Sequence, residues 1–187
     1  ETIPVIEALD GQLITHRIDV PPVVLNGQII ADPTSDRLKI VVVNRYHQAP
    51  VAVSFIHHIG IKGGALASSV AHDSHNIVAV GADDDAIAKA VQLIMDHRGG
   101  LSAVFEQEAH ILPLPVAGLM SDLDGEVVAE RYTHLDAFVK QTMGSPLRAP
   151  FMTLSFMALL VIPQLKLSDR GLFDGDTFSW VDGWQIG

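Results

Sequence analysis

The chain has 187 residues, enough for one domain with a substantial core, and 48% of them are hydrophobic against 18% that are charged. A formal charge of −10 repels nucleic-acid phosphates and anionic lipid headgroups, so neither partner is expected. The sequence contains no Cys, which excludes disulfides and thiolate sites and agrees with our expectation of a cytoplasmic protein.

The first part of the chain predicts a β-hairpin and a connecting arm. Residues 2–18 alternate apolar and polar side chains around Asp10-Gly11, a dipeptide that two-residue hairpin turns favour. Closely spaced turn signals, Pro21-Pro22 and Asn26-Gly27, then leave room only for short extended pieces up to residue 31. We therefore treat residues 1–31 as a lead-in, and residues 32–187 as the main body of a single domain spanning 1–187.

The main body alternates predicted strands and helices. Runs rich in β-branched residues predict two neighbouring strands of a central sheet, and two helices follow at amphipathic spacing. The apolar run of residues 151–163 is too short to cross a bilayer, and the tail that it begins is predicted to be extended. The predicted fold class is α+β, a mixed β-sheet with helices packed over it and an N-terminal β-hairpin lead-in. The predicted strands are 38–46, 50–59, 65–70, 76–81, 101–105 and 109–114, and the predicted helices cover residues 83–98 and 124–143.

A dense polar segment lies between two predicted apolar strands and supplies the candidate substrate-pocket residues. Polar groups near a core cost about 1–3 kcal/mol each when they lack a partner, so such a segment either pairs them internally or uses them. The alternative to a pocket is a hydrogen-bonded turn in which an aspartate caps backbone N–H groups and the imidazoles pack. The candidates are His72, Asp73, Ser74, His75 and Asn76.

The same segment gives only a weak metal signal. His72 and His75 are three residues apart, but no third His or carboxylate stands at a diagnostic distance, and zinc sites normally need at least three protein ligands. His57 and His58 follow each other in a predicted strand, which should place their side chains on opposite faces. We therefore predict no metal ligand, no cofactor and no assignable catalytic residue within this chain.

Three stretches in order carry a family resemblance. They are GALASSVAHDSHNIVAVG at 64–81, LPLPVAGLMSD at 112–122 and PFMTLSFMALLVIPQLKLSDRGLFD at 150–174. Together with GQLITHRI and GQIIADPTSDRLKIVVVNRY near the start, they resemble the C-terminal domain of adenine deaminases along essentially the whole chain.

The resemblance implies a larger enzyme. In that family a (β/α)8 barrel precedes this region and holds divalent metal, which is manganese, iron or zinc, and the enzyme hydrolyses adenine to hypoxanthine and ammonia. The barrel motifs are absent from this sequence, so the isolated chain is expected to be inactive. The implied partners are its own N-terminal barrel domain, adenine and further copies in a homo-oligomer, with the polar segment facing the barrel mouth.

Two other functions remain open at this point. The chain could be a non-catalytic structural or dimerisation domain, or a stand-alone module that binds a purine without chemistry. Turnover of an intact enzyme altered at Asp73 separates the deaminase role from the structural one, and calorimetry with adenine tests the stand-alone module.

Overall fold

The computed structural model describes residues 2–185, and its centre is an eight-stranded β-sheet. The strands are β1 (Ile3–Ala8), β2 (Thr15–Val20), β5 (Arg37–Val43), β6 (Ala52–His57), β7 (Ala65–Ser68), β8 (Ile77–Gly81), β9 (Gly100–Phe105) and β10 (Glu108–Pro113). They are ordered β10-β9-β7-β8-β5-β6-β1-β2, and each neighbouring pair is antiparallel except β1 and β6, which are parallel. The predicted hairpin, the pairing of β5 with β6 and the mixed character of the sheet are confirmed.

The remaining elements lie around this sheet. The helices are α1 (Asp84–Asp96), α2 (Gly125–Ala137), which continues as a π-helical turn (Phe138–Thr142), and α3 (Pro150–Ser155). β3 (Val23–Leu25) and β4 (Gln28–Ile30) form a two-stranded ribbon, and β11 (Leu165–Ser168), β12 (Gly171–Asp174) and β13 (Ser179–Gln185) form an antiparallel three-stranded sheet. Within residues 2–185, no helix is both long and apolar enough to cross a membrane.

The two faces of the large sheet are covered differently. One face, with Ile40 and Leu66, belongs to the larger core, to which α2, α3 and the three-stranded sheet contribute. The other face is covered by α1 only over β7–β10, where Ala65 and Ala67 contact the helix core. Because side chains alternate along a strand, burial on both faces explains the near-continuous apolar runs of β5, β7 and β8.

The α1 side of the sheet leaves an apolar groove uncovered. It measures about 380 Å³ and lies between α1 and the strands β5 and β6. Val51 and Val53 on its floor are 46% and 41% exposed. The helix itself begins as the sequence predicts, because the Asp83 carboxylate accepts a hydrogen bond from the Ala86 N–H at 2.7 Å.

The β1–β2 hairpin forms the far edge of the large sheet, and its connection differs from the predicted two-residue turn. The hairpin loop, residues 9–14, is longer than two residues, and other segments of the chain bind it. The Asp10 carboxylate accepts hydrogen bonds from the Arg148 backbone N–H at 3.0 Å and its Nε at 2.8 Å. Just beyond the loop, Thr15 Oγ1 donates to the Leu165 carbonyl at 2.8 Å. The boundary at residue 31 stays a prediction of the sequence.

A buried lysine also fastens the hairpin loop. Lys166 is completely buried in β11, and its Nζ donates to the carbonyl oxygens of Leu13 at 2.6 Å and Phe156 at 3.1 Å. Burial disfavours the charged ammonium and lowers the pKa of Lys166 to about 8. Its amine therefore joins the hairpin, the end of α3 and the three-stranded sheet.

One predicted element is wrong. The tail from residue 151 was expected to be extended, but its first residues form α3. Pro150 stands in the first turn of α3, where its missing N–H costs nothing, and Phe151 and Leu154 are buried on the same side. A short apolar run fits either a buried strand or a buried helix, so periodicity did not separate them.

Candidate functional site

The polar loop, residues 69–76, connects β7 to β8 at one edge of the large sheet. The same edge holds the segment after β5, the residues before β9 and the segment after β10, because the strands from β10 to β5 in this sheet run antiparallel to their neighbours. Three other chain segments therefore meet the polar loop, as strand pairing requires.

Two side chains that follow β5 hold the backbone of the polar loop. Arg45 Nε donates to the His75 carbonyl at 2.6 Å, and its Nη2 donates to the Ala117 carbonyl at 2.6 Å. Tyr46 donates its hydroxyl proton to the Ser74 carbonyl at 2.7 Å. The guanidinium thus ties the loop to the segment after β10.

A buried serine anchors the start of the loop. The Ser69 hydroxyl donates to the Gly118 carbonyl at 2.6 Å and accepts from the Gly100 N–H at 2.8 Å. Further along, the His72 N–H donates to the Ser155 carbonyl at 2.9 Å. The backbone of the loop is therefore fixed from several sides.

The five candidate side chains are less fully paired than this backbone. His72 stacks on Phe156 with ring centroids 5.1 Å apart, and the His75 ring lies edge-on to His72 at 5.5 Å. The buried Asn76 accepts from the Arg45 N–H at 3.4 Å and donates to the Ser74 hydroxyl at 3.2 Å.

Asp73 is the most available group in the loop. Its side chain is exposed, and its carboxylate forms no hydrogen bond with any residue between 2 and 185. The alternative turn, in which Asp73 caps backbone N–H groups, is thus not the arrangement in this structure, although the imidazoles do pack. Asp73 and Ser74 face solvent, while His72 and His75 are half-buried behind them.

The surroundings of His75 lower its pKa. Burial lowers its pKa below the ordinary value, the nearby His72 and Arg45 lower it further, and Asp73 opposes them. Its Nδ1 is buried and has no hydrogen-bond partner among the described residues. A neutral imidazole offers one donor and one acceptor, so the ring has an unused hydrogen-bonding position at Nδ1, which a movement of the ring would have to expose.

The loop is bordered by a cleft and by exposed apolar side chains. A cleft of about 610 Å³ lies between residues 43–49 and the C-terminal end of α1. Tyr46, Met95, Val116 and Met120 are exposed on the segments that reach this edge. Large exposed apolar side chains around a polar centre are typical of a surface that meets another protein.

The loop does not form a metal site by itself, but a second group of histidines was misjudged from the sequence. In the described chain, the residues that bring three possible ligand atoms within 4.8 Å of one another are Glu7, His57 and His58. The prediction that His57 and His58 point to opposite faces is wrong. His58 has a φ of 69°, and this left-handed backbone turns its ring to within 4.1 Å of the His57 ring.

Sequence reasoning missed Arg45, Tyr46 and Ser69 as residues that position the loop. A signal for the first two was present, because they directly follow a strand that was predicted to be central. Fold and loop together define the class: an α+β domain that presents a polar loop, with side chains incompletely paired, at one edge of a mixed sheet.

Comparison with known proteins identifies the family. Residues 12–179 match the family described as the adenine deaminase C-terminal domain. A Salinibacter ruber protein named adenine deaminase is 56% identical over 183 residues, which cover 97% of this chain and 33% of that protein. Adenine deaminases from a Sulfurovum species and Methanosarcina barkeri are 55% and 52% identical, and 32% of each is covered. The chain therefore belongs to the adenine deaminase C-terminal domain family, and it spans about a third of the length of these curated relatives.

Proposed function

We propose that this chain serves an enzyme that hydrolyses adenine to hypoxanthine and ammonia, and that its polar loop shapes or closes the substrate pocket. The relatives named adenine deaminase are about three times as long as this chain, which leaves room for a catalytic barrel domain before it. The proposal depends on one observation: the backbone of the loop is firmly held while the Asp73 carboxylate and His75 Nδ1 lack partners within the described chain.

The chemistry of the loop suits a purine. Adenine presents an amino donor beside ring-nitrogen acceptors, and a carboxylate accepts from such an amino group while a neutral imidazole donates or accepts. Asp73 would accept a hydrogen bond from the purine or orient a group of the barrel, and His75 would bind or relay a proton at its buried Nδ1 once the ring turns outward. The divalent metal expected in the barrel would lower the pKa of a bound water, and no residue of this chain is assigned to hold it.

The fixed backbone supports a positioning role. A group that closes a pocket must be held in place before the substrate arrives, since ordering it on binding would cost free energy. Side-chain hydrogen bonds from Arg45, Tyr46 and Ser69 meet this requirement, because each ends on a backbone carbonyl and none uses the side chain of a candidate residue.

The uncovered surfaces support contact with another part of the same enzyme. Exposed apolar side chains surround the loop edge, and Val51 and Val53 lie open in the groove beside α1. We assign the loop edge to the preceding barrel domain, because the relatives contain about twice as much chain outside this region as within it. Homo-oligomerisation and a cytoplasmic location stay predictions from the sequence.

The test is the variant Asp73→Asn in the full-length deaminase that carries this domain. We expect kcat/KM for adenine to fall at least tenfold, about 1.4 kcal/mol of transition-state stabilisation, with an unchanged midpoint of thermal unfolding. Asp176→Asn is the matched control, since Asp176 is also exposed but lies in the turn between β12 and β13.

The outcome separates the three functions. Unchanged turnover in Asp73→Asn would remove the loop from catalysis and leave a structural or dimerisation domain. Calorimetry of the isolated chain with adenine addresses the purine-binding module. Stoichiometric binding there would favour that module, and its absence agrees with a pocket that needs the barrel.

A further inference from the structure

A second group of ionisable side chains lies at the opposite end of β5 from the polar loop. The Glu7 cluster consists of Glu7 on β1, His57 at the end of β6 and the adjoining His58. Glu7 and His57 are register partners in the parallel pairing of β1 with β6, so both side chains leave the same face of the sheet. The left-handed backbone of His58 adds a second imidazole to that face.

Hydrogen bonds to the backbone orient the imidazoles of the cluster. His57 Nδ1 is 2.9 Å from the Asp36 carbonyl oxygen, and His58 Nδ1 is 3.3 Å from the Ala8 carbonyl oxygen. Because a carbonyl only accepts, these contacts place the ring proton on Nδ1 and leave Nε2 with a free lone pair. Imidazoles that bind metals are fixed in this manner.

A fourth residue orients the carboxylate. His16 Nδ1 is 2.9 Å from one oxygen of Glu7, and the other oxygen is 3.8 Å from His58 Nδ1. On the far side, the Asp36 carboxylate accepts from the Gly60 N–H at 2.7 Å and so fixes the chain just after the two histidines. Hydrogen bonds therefore support the cluster both at Glu7 and at the chain that follows His58.

We propose that Glu7, His57 and His58 bind a divalent transition metal ion, with Zn²⁺ the preferred ion, and that this ion clamps the β1–β2 hairpin to the sheet. Two imidazole nitrogens and one carboxylate oxygen form a ligand set that Zn²⁺ accepts, with water in the remaining position. The sequence-based prediction of no metal ligand did not foresee this grouping.

The distances and charges allow such an ion. Ligands of one tetrahedral zinc ion lie about 3.3 Å apart, so atoms within 4.8 Å must close by up to ~1.5 Å. His58 is half exposed and can make that movement by rotating its side chain, which gives up the long 3.3 Å hydrogen bond to the Ala8 carbonyl. Arg37 is in register with His57, but its guanidinium pairs with the Asp32 carboxylate at 3.1 Å, which compensates its charge.

The position of the cluster indicates a clamp. The parallel pairing of β1 with β6 has only two register partners, whereas β1 and β2 have six. An ion held by both β1 and β6 would reinforce the shortest junction in the large sheet. The length of β5, about 20 Å, separates the Glu7 cluster from the polar loop. The metal proposal and the pocket proposal can therefore be tested independently.

The experiment is calorimetric titration of the metal-free 187-residue chain with ZnCl2 at neutral pH, followed by metal analysis after dialysis. We expect one zinc ion per chain and an unfolding temperature that rises with zinc concentration. His57→Asn should abolish binding, and His16→Asn, which removes only the partner of Glu7, should weaken it at least tenfold. His47→Asn, an exposed histidine outside the cluster, is the control and should bind as the wild type does.

Each other outcome overturns the clamp. Absence of stoichiometric zinc, zinc retained by His57→Asn, or zinc lost in a His72→Asn/His75→Asn double variant instead would show that the ion does not sit at Glu7. Circular dichroism verifies folding of each variant. Should His57→Asn fail to fold, the nearly isosteric Glu7→Gln, expected to lose at least tenfold in affinity, decides the question.

Discussion

Two loops of this domain connect antiparallel strands and are rich in polar groups, yet they use those groups in opposite ways. In the hairpin loop, the Asp10 carboxylate and the Leu13 carbonyl are paired with Arg148 and Lys166. In the polar loop, the backbone is paired while Asp73 and His75 Nδ1 are not. Polar content alone therefore does not separate the two loops, whereas the distribution of satisfied polar groups does.

The largest expected effect concerns Lys166 in the support of the hairpin loop. Its pKa of about 8 in the folded chain lies below the ordinary 10.5, so folding opposes protonation. This penalty is fully present below pH 8 and disappears as pH rises through 10.5, which predicts a stability gain of about 3 kcal/mol. Urea unfolding of wild type and Lys166→Met between pH 7 and 11 measures it, because the variant lacks the titrating group. A difference curve that stays flat would contradict the burial of a charged amine.

A smaller effect is expected at the anchor of the polar loop. Ser69→Ala removes the hydroxyl that binds Gly118 and Gly100, and leaves the buried Gly100 N–H without that acceptor. We expect a loss of about 2 kcal/mol in the free energy of unfolding. Asp73→Ala in the same loop is the control and should change stability by less than about 0.5 kcal/mol, since Asp73 is exposed and its carboxylate forms no hydrogen bond within the described chain. Equal losses from both variants would erase the distinction between anchored backbone and available side chains.

The smallest effect compares the two aspartates directly. Hydrogen bonds from Arg148 lower the pKa of Asp10, so its carboxylate stabilises the fold at neutral pH and this contribution is lost as pH falls through the folded pKa. Asp10→Asn should therefore lower the unfolding temperature at pH 7 and have less effect under acidic conditions. Asp73→Asn should leave stability unchanged at either pH. Thermal unfolding at pH 7 and pH 3 tests this, and a larger loss from Asp73→Asn would reverse our reading of the loops.

Much of the fold could be predicted because local patterns encode it. The paired strands β5 and β6, the helix α1 behind Asp83 and the hairpin each have a periodicity or a turn signal that survives in the structure. The position of the polar loop followed from the contrast between its residues and the flanking strands.

The features of the fold and of the candidate site that could not be predicted depend on contacts between residues far apart in the sequence. The burial of Lys166 follows from the approach of Leu13, which is 153 positions away in the chain. His58 adopts a left-handed backbone that its residue type does not demand, so its approach to His57 could not be read from alternation. Arg45 and Ser69 donate hydrogen bonds to carbonyl oxygens 72 and 49 positions away, and no local sequence pattern predicts such partners.

The bond between Thr15 and Leu165 has a consequence for how the domain assembles. These residues are 150 positions apart, and Thr15 Oγ1 both donates to the Leu165 carbonyl and accepts from its N–H. Closing so long a stretch of chain costs more entropy than closing a local turn, and contacts of this range slow folding. During synthesis the hairpin emerges well before β11, so it can form this bond only after the stretch of chain that separates the two partners, 150 positions apart, has been made.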